Sequence, residues 1–119
     1  VSWDVEHTDE FGIWFSDLSE ADQDAVRFTV SLLTAQDPNL RFPHSSGISD
    51  SRHSHMRELR IQSEGRPLRV FYAFDPRRSA ILLIGGDKTG DHRFYERLIP
   101  AADELYDVHL QELRQEGLI

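Results

Sequence analysis

The 119-residue sequence predicts an α+β fold: a small curved antiparallel β-sheet in the order β-α-α-β-β-β-α, packed with an N-terminal helix hairpin and a C-terminal helix. Three observations predict it. Two helical apolar patterns follow one another near the N-terminus, three β-rich runs separated by short turns fill the middle, and one long amphipathic pattern comes last. At this length a single domain over residues 1–119 is expected.

Trp3 to His7 alternates apolar and polar residues and reads as a short first strand. Phe11, Trp14, Phe15 and Leu18 follow at helical spacing, with Thr8 or Asp9 as the cap. Ser19-Glu20-Ala21-Asp22 resembles a capping box and starts a second helix that runs to about Gln36, with Ala25, Val26, Val30 and Leu33 facing inward. Asp37-Pro38 stops it, because a residue before proline is pushed out of the α region. Residues 39–55 are polar and without periodicity, which predicts an ordered loop.

Three strands follow, at Met56 to Gln62, Leu68 to Phe74 and Ala80 to Ile84, with turns at Gly65-Pro67 and Asp75-Pro76-Arg77-Arg78. The last two are apolar on both faces, as expected of central strands covered on both sides. From Arg93 to about Gln115 the stripe Ala102, Leu105, Tyr106, His109 and Leu113 predicts a helix, kinked or divided at Pro100. His109 on this stripe reads as a hydrogen-bonded packing residue.

Apolar residues make up 39% of the chain and no apolar run approaches the roughly 20 residues that span a bilayer, so no membrane association is expected. No basic and apolar leader opens the sequence, and there is no cysteine; both fit a cytoplasmic protein. The net charge of -8 argues against a general nucleic-acid binder. The charge is segregated, however. Between Arg41 and Arg97 eleven Arg or Lys stand against seven Asp or Glu, whereas the flanks hold two against fourteen. Lys88 is the only lysine among thirteen basic residues.

That lysine lies in "IGGDKTGDHRFY", Ile84 to Tyr95, which has the composition of a phosphate loop. A Walker loop needs glycine before the lysine and a parallel βαβ setting; here Asp87 precedes Lys88 in an antiparallel meander. A K-T-G acyl-enzyme box needs a second motif with its own lysine, which does not exist. His53, His55 and His92 lack metal-ligand spacing, since residues two apart on an extended segment point to opposite sides, and no metal or other cofactor is expected. Another reading joins the loop to the strands. Leu59 and Ile61 share one face of their strand, and Glu58 and Arg60 the other. Arg69 sits among apolar neighbours and must reach solvent or a partner. With adjacent strands Arg60, Arg69 and Lys88 can converge on one surface; a salt-bridged face with Glu58, Asp75 and Asp87 is the competing expectation.

"MRELRIQSEGRPLRVFYAFDPRRSAILLIGGDKTG", followed by "DHRFYERLIPAADELYDVHLQEL", resembles the RelE/ParE superfamily of type II toxin-antitoxin toxins, in its HigB-like, phage-derived Gp49-like branch. The resemblance covers about Arg52 to Leu113. It implies a RelE-like fold and a ribosome-dependent mRNA endoribonuclease that needs no metal and uses the 2'-hydroxyl of RNA as nucleophile. Its implied partners are the ribosome, mRNA and a cognate antitoxin, a helix-turn-helix protein through which alone operator DNA is bound. Arg69, Lys88, Arg93, Tyr95 and His92 are the implied catalytic candidates, and Arg57, Arg60, Arg66, His53 and His55 the RNA-binding ones. The superfamily also includes gyrase-inhibiting and non-catalytic members, the alternative reading.

Overall fold

The computed structural model describes residues 3–36 and 38–119; the helix stop expected at Asp37 lies outside them. The elements are β1 (Val5–His7), α1 (Asp9–Ser16), α2 (Glu20–Gln36), β2 (Ser45–Gly47), β3 (Arg57–Ser63), β4 (Arg66–Phe74), β5 (Ala80–Asp87) and α3 (Phe94–Gln115). The five strands form one sheet in the order β1-β5-β4-β3-β2. β3, β4 and β5 pair antiparallel, as expected of the meander, and β2 adds to β3, also antiparallel. β1 departs from the antiparallel expectation: it lies parallel to β5, Val5 opposite Ala80.

Local chemistry sets the turns and caps. Thr8 caps α1 by accepting the Phe11 N–H at 3.0 Å. Ser19 accepts the Asp22 N–H at 3.2 Å, the first half of a capping box, while the Asp22 carboxylate takes hydrogen bonds from Ser63 and Arg66. The β3–β4 hairpin turns on Glu64 and Gly65, both at positive φ, the backbone that a two-residue turn with the right twist requires. Ser63 and Arg66 close its register.

β5 carries one extra residue, Leu83, between the pairs Phe71–Ile84 and Tyr72–Leu82. The Thr8 hydroxyl donates to the carbonyl of this bulge residue at 2.7 Å, which ties α1 to the centre of the sheet.

Each face of the sheet buries its own core. Leu59, Ile61, Leu68, Val70, Tyr72 and Leu82 pack with Phe11 of α1 and Val26 and Leu33 of α2. Phe71, Ala73, Ile81 and Leu83 pack with Phe94, Ile99, Ala102 and Tyr106 of α3. The double coverage of β4 and β5 explains their apolar character on both faces; each fully buried Leu or Phe contributes about 1.5–3 kcal/mol. Pro100 neither divides α3 nor ends it, and the helix runs through it from Phe94 to Gln115. The loop expected over 39–55 contains β2, a strand of Ser-Ser-Gly with no apolar alternation to reveal it.

Two glycines let helices approach β5 closely. A Cβ on Gly85 would stand 2.4 Å from the Trp14 ring, and one on Gly86 would stand 2.8 Å from Phe94 and 2.9 Å from Leu98. The second contact sets the first turn of α3 on the end of β5, directly after the lysine turn.

Candidate RNA-binding and catalytic site

Arg60 on β3 and Arg69 on β4 are directly opposed across the sheet, and Arg69 is in turn opposite Gly86 of β5. Both side chains belong to the face that α3 covers in part. Glu58, two residues before Arg60, shares that face and is buried. Its carboxylate is the hub of the site. Oε1 accepts the Tyr95 hydroxyl at 2.8 Å and stands 3.6 Å from Arg69 Nε. Oε2 accepts the Ser46 hydroxyl at 3.1 Å and an Arg60 N–H at 3.4 Å. Lys88 completes the cluster, its Nζ 5.3 Å from the centre of the Tyr95 ring.

Arg69 is only 5% exposed. One guanidinium nitrogen donates to the Leu68 carbonyl at 3.0 Å. Its Nε is the one buried side-chain nitrogen or oxygen without a hydrogen-bond partner among the described residues. An unmade hydrogen bond on a buried cation is costly, so the site holds an unused donor beside an ion pair that is too long to satisfy it. Burial, and then the hydrogen bond into Glu58, hold the Tyr95 phenol above its ordinary pKa range, while Arg69 pulls the other way. Tyr95 is therefore protonated at neutral pH, with its proton already directed at a carboxylate.

The other candidates divide. Arg93 is exposed, with only a loose contact of 3.7 Å to Glu96, and His92 is exposed on the turn before α3. Both adjoin the cluster in sequence without entering its hydrogen bonds among the described contacts. Arg57 and Arg66 belong to the opposite face of the sheet by strand alternation. Arg57 donates to Ser45 Oγ at 3.0 Å, and Arg66 grips both Asp22 carboxylate oxygens at 2.6 Å and Asp87 at 3.2 Å. These are fastenings between strand and helix or strand and strand. His53 bonds Asp107 at 2.8 Å and His55 bonds the Tyr106 hydroxyl at 3.0 Å. Their partners lie three turns along α3 from Tyr95, about 17 Å at the helical rise. His109 Nε2 donates to the Asp75 carboxylate at 2.9 Å, as a packing residue would. Among the described residues no group of three or more His, Asp or Glu is placed to hold a metal ion.

The competing salt-bridged expectation also finds its place. Glu58 is in the cluster, but Asp75 serves Arg77 and His109 at the far end of β4, and Asp87 serves Arg66 and Thr89. Glu58 and Ser46 are the residues that sequence reasoning left outside the site. The alternation of β3 put Glu58 on the correct face; nothing in sequence showed that α3 would bury it. Ser46 depends on a strand with no sequence signal.

The five-stranded sheet with two N-terminal helices on one face and a C-terminal helix on the other is similar to a chain in the crystal structure of an archaeal RelE-RelB complex from Pyrococcus horikoshii OT3. The TM-score is 0.56 at 12% identity, covering 76% of this chain and 99% of that one. The fold is therefore RelE-like. Residues 13–107 match the family described as phage derived protein Gp49-like (DUF891), and the chain belongs to that family.

Two relatives come from Mycobacterium tuberculosis (strain ATCC 25618 / H37Rv). "Putative toxin HigB2" is 34% identical over 114 residues, covering 94% of this chain and 56% of that protein. "Putative toxin HigB3" is 40% identical over 92 residues, covering 76% and 79%. The chain thus spans little more than half the length of the first of these relatives.

Proposed function

We propose that the chain is the toxin of a type II toxin-antitoxin pair and inhibits translation by cutting messenger RNA on the ribosome. The observation that carries this reading is the buried Arg69, with its unused Nε–H, set against Glu58 and Tyr95. A phosphate oxygen is the partner that such a donor lacks, and arginine binds phosphate with directed N–H groups.

The cluster supplies what metal-free RNA cleavage requires. The 2'-oxygen attacks the adjacent phosphorus, its proton leaves, the bond from phosphorus to the 5'-oxygen breaks, and that oxygen gains a proton. Tyr95 takes the 2'-hydroxyl proton as its own passes to Glu58. Arg60 and Arg69 neutralise the pentacoordinate phosphorane. Lys88, beside Tyr95, stands as the proton donor to the 5'-oxygen. The ribosome holds the message in line for attack, which compensates for the modest number of cations.

A cognate antitoxin is the expected protein partner, a reading supported by the names of the HigB relatives and by the paired RelE-RelB assembly of the structural neighbour. A second reading rests on the same arginine. Because Arg69 is nearly closed off by Glu58, the site also suits a member that docks on a protein such as gyrase without cleaving RNA.

Primer extension on a defined message in a reconstituted translation system, with naked RNA and Arg69→Ala as controls, separates the two. Cuts confined to translated message and lost in the variant establish the nuclease. Intact message with the unaltered protein would sink it and leave the docking reading.

A further inference from the structure

Two phenylalanine side chains are exposed among the described residues, Phe42 at 71% and Phe28 at 60%. Both belong to the surroundings of Arg60. Phe28, from α2, lines a cavity of about 380 Å3 together with Pro43, His44, Arg60 and Arg69. Phe42 immediately precedes Pro43, and its ring lies under the Arg60 guanidinium, 5.2 Å from ring centre to Cζ. The loop that carries it is fixed to the sheet, because the Arg60 N–H donates to the His44 carbonyl at 2.8 Å.

We infer that Phe42 and Phe28 form a stacking site for a base of single-stranded RNA whose neighbouring phosphate is held by Arg60 and Arg69. This rests on the RNA reading above. Neither ring is turned into the core: Phe28 is off the inward stripe of α2, and Phe42 lies in a turn with its ring against Arg60. A flat apolar ring beside a phosphate-binding cation is the pairing that unstacked bases use, since every base has a π-face while its phosphate needs charge. The continuity is physical: Arg60 touches Phe42 on one side and Glu58 of the cluster on the other. The same cavity is lined by Arg69, the cation proposed above to hold the reacting phosphate. The two rings are thus assigned the base next to the phosphate that Arg60 and Arg69 hold, read by stacking strength rather than by hydrogen bonds.

The test uses an RNA oligonucleotide with 2'-O-methyl riboses, which cannot be cut, and with 5-iodouracil at successive positions. Binding is followed by anisotropy, and photo-crosslinked residues are identified by mass spectrometry. The unaltered protein should crosslink through Phe42 or Phe28 at one position. Phe42→Ala should weaken binding about fivefold to a hundredfold, and Phe42→Trp should restore it, a rescue that loss of loop structure would not show.

Unchanged affinity in Phe42→Ala and Phe28→Ala, with Arg60→Ala weakened, would overturn the stacking site and leave the RNA reading intact. No binding by the unaltered protein, on free RNA or on a translating ribosome, would overturn both. If the phenylalanine variants bind RNA normally but escape neutralisation by the cognate antitoxin, the rings serve a protein interface and the inference is wrong.

Discussion

Tyr95, in the first turn of α3, donates its phenolic hydrogen to Glu58, the second residue of β3, at 2.8 Å. The contact joins the C-terminal helix to the sheet and aligns a proton path toward a buried carboxylate. If the two act as a unit, Tyr95→Phe and Glu58→Gln should each lower cleavage by about 10²–10⁴. The double variant should be no slower than the worse single one. Rates of message cleavage in a translation system measure this, and multiplicative losses would show that the two residues act separately.

Arg69 and Glu58 are both nearly closed to solvent, so removing one charge exposes the cost of burying the other. Arg69→Ala should abolish cleavage and destabilise the protein by about 3 kcal/mol, less whatever Arg60 recovers. Adding Glu58→Gln should restore much of the melting temperature without restoring activity. Thermal denaturation of the two variants beside the cleavage assay separates the stabilising role from the chemical one.

The close approach of α1 to β5 depends on Gly85, where a Cβ would fall 2.4 Å from Trp14. Gly85→Ala should cost about 1–3 kcal/mol through displacement of the indole. Pairing it with Trp14→Leu should recover part of the loss. Chemical denaturation gives the numbers, and an undiminished midpoint for Gly85→Ala would show that α1 can shift freely.

Acid should unfold the protein through its paired carboxylates. Burial works to raise the Asp75 pKa, but hydrogen bonds from Arg77, then His109, and from the Ser79 N–H outweigh it and hold the group below the usual range. A carboxylate lowered in the folded state stabilises above its unfolded pKa of about 3.9, and that contribution is lost as pH falls through the folded value. Stability should therefore fall below about pH 4. Asp75→Asn should flatten that slope while costing about 3 kcal/mol at neutral pH.

The alkaline side has the opposite sign. Burial, then the nearby charges of Asp75 and Asp107, push Tyr106 up to about 12. Its contribution is complete below the unfolded pKa of about 10 and disappears as pH rises through the folded one. Tyr106→Phe should remove this alkaline dependence. Equilibrium unfolding between pH 9 and pH 12 tests it, and a slope unchanged by the substitution would place the titration elsewhere.

Arg66 holds Asp22 of α2 and Asp87 of β5 together, on the face of the sheet away from the cluster. Its substitution by alanine should lower stability while leaving RNA affinity unchanged, in contrast to Arg60→Ala. Equal losses of RNA binding in the two variants would place the RNA path on both faces.

The sequence by itself determined the elements whose signals are local. Apolar spacing marked α1, α2 and α3, Gly65-Pro67 marked the turn between β3 and β4, and alternation on β3 separated Leu59 and Ile61 from Glu58 and Arg60. It also brought Arg60, Arg69 and Lys88 into one reading, because adjacent antiparallel strands place their polar faces together, and the family resemblance added Tyr95. The tertiary structure alone decided that β1 runs parallel to β5, that Ser45–Gly47 forms the far edge, and that Pro100 stays inside α3. Those outcomes depend on pairing partners distant in the chain, where a three-residue segment has no periodicity of its own and packing overrides local preference. It likewise assigned the charged side chains to their duties. Arg57, Arg66, His53 and His55 look as available as Arg60 in sequence, yet Ser45, Asp22, Asp107 and Tyr106 engage them. Whether a polar side chain is free depends on the partner that folding brings to it, and that is a three-dimensional fact.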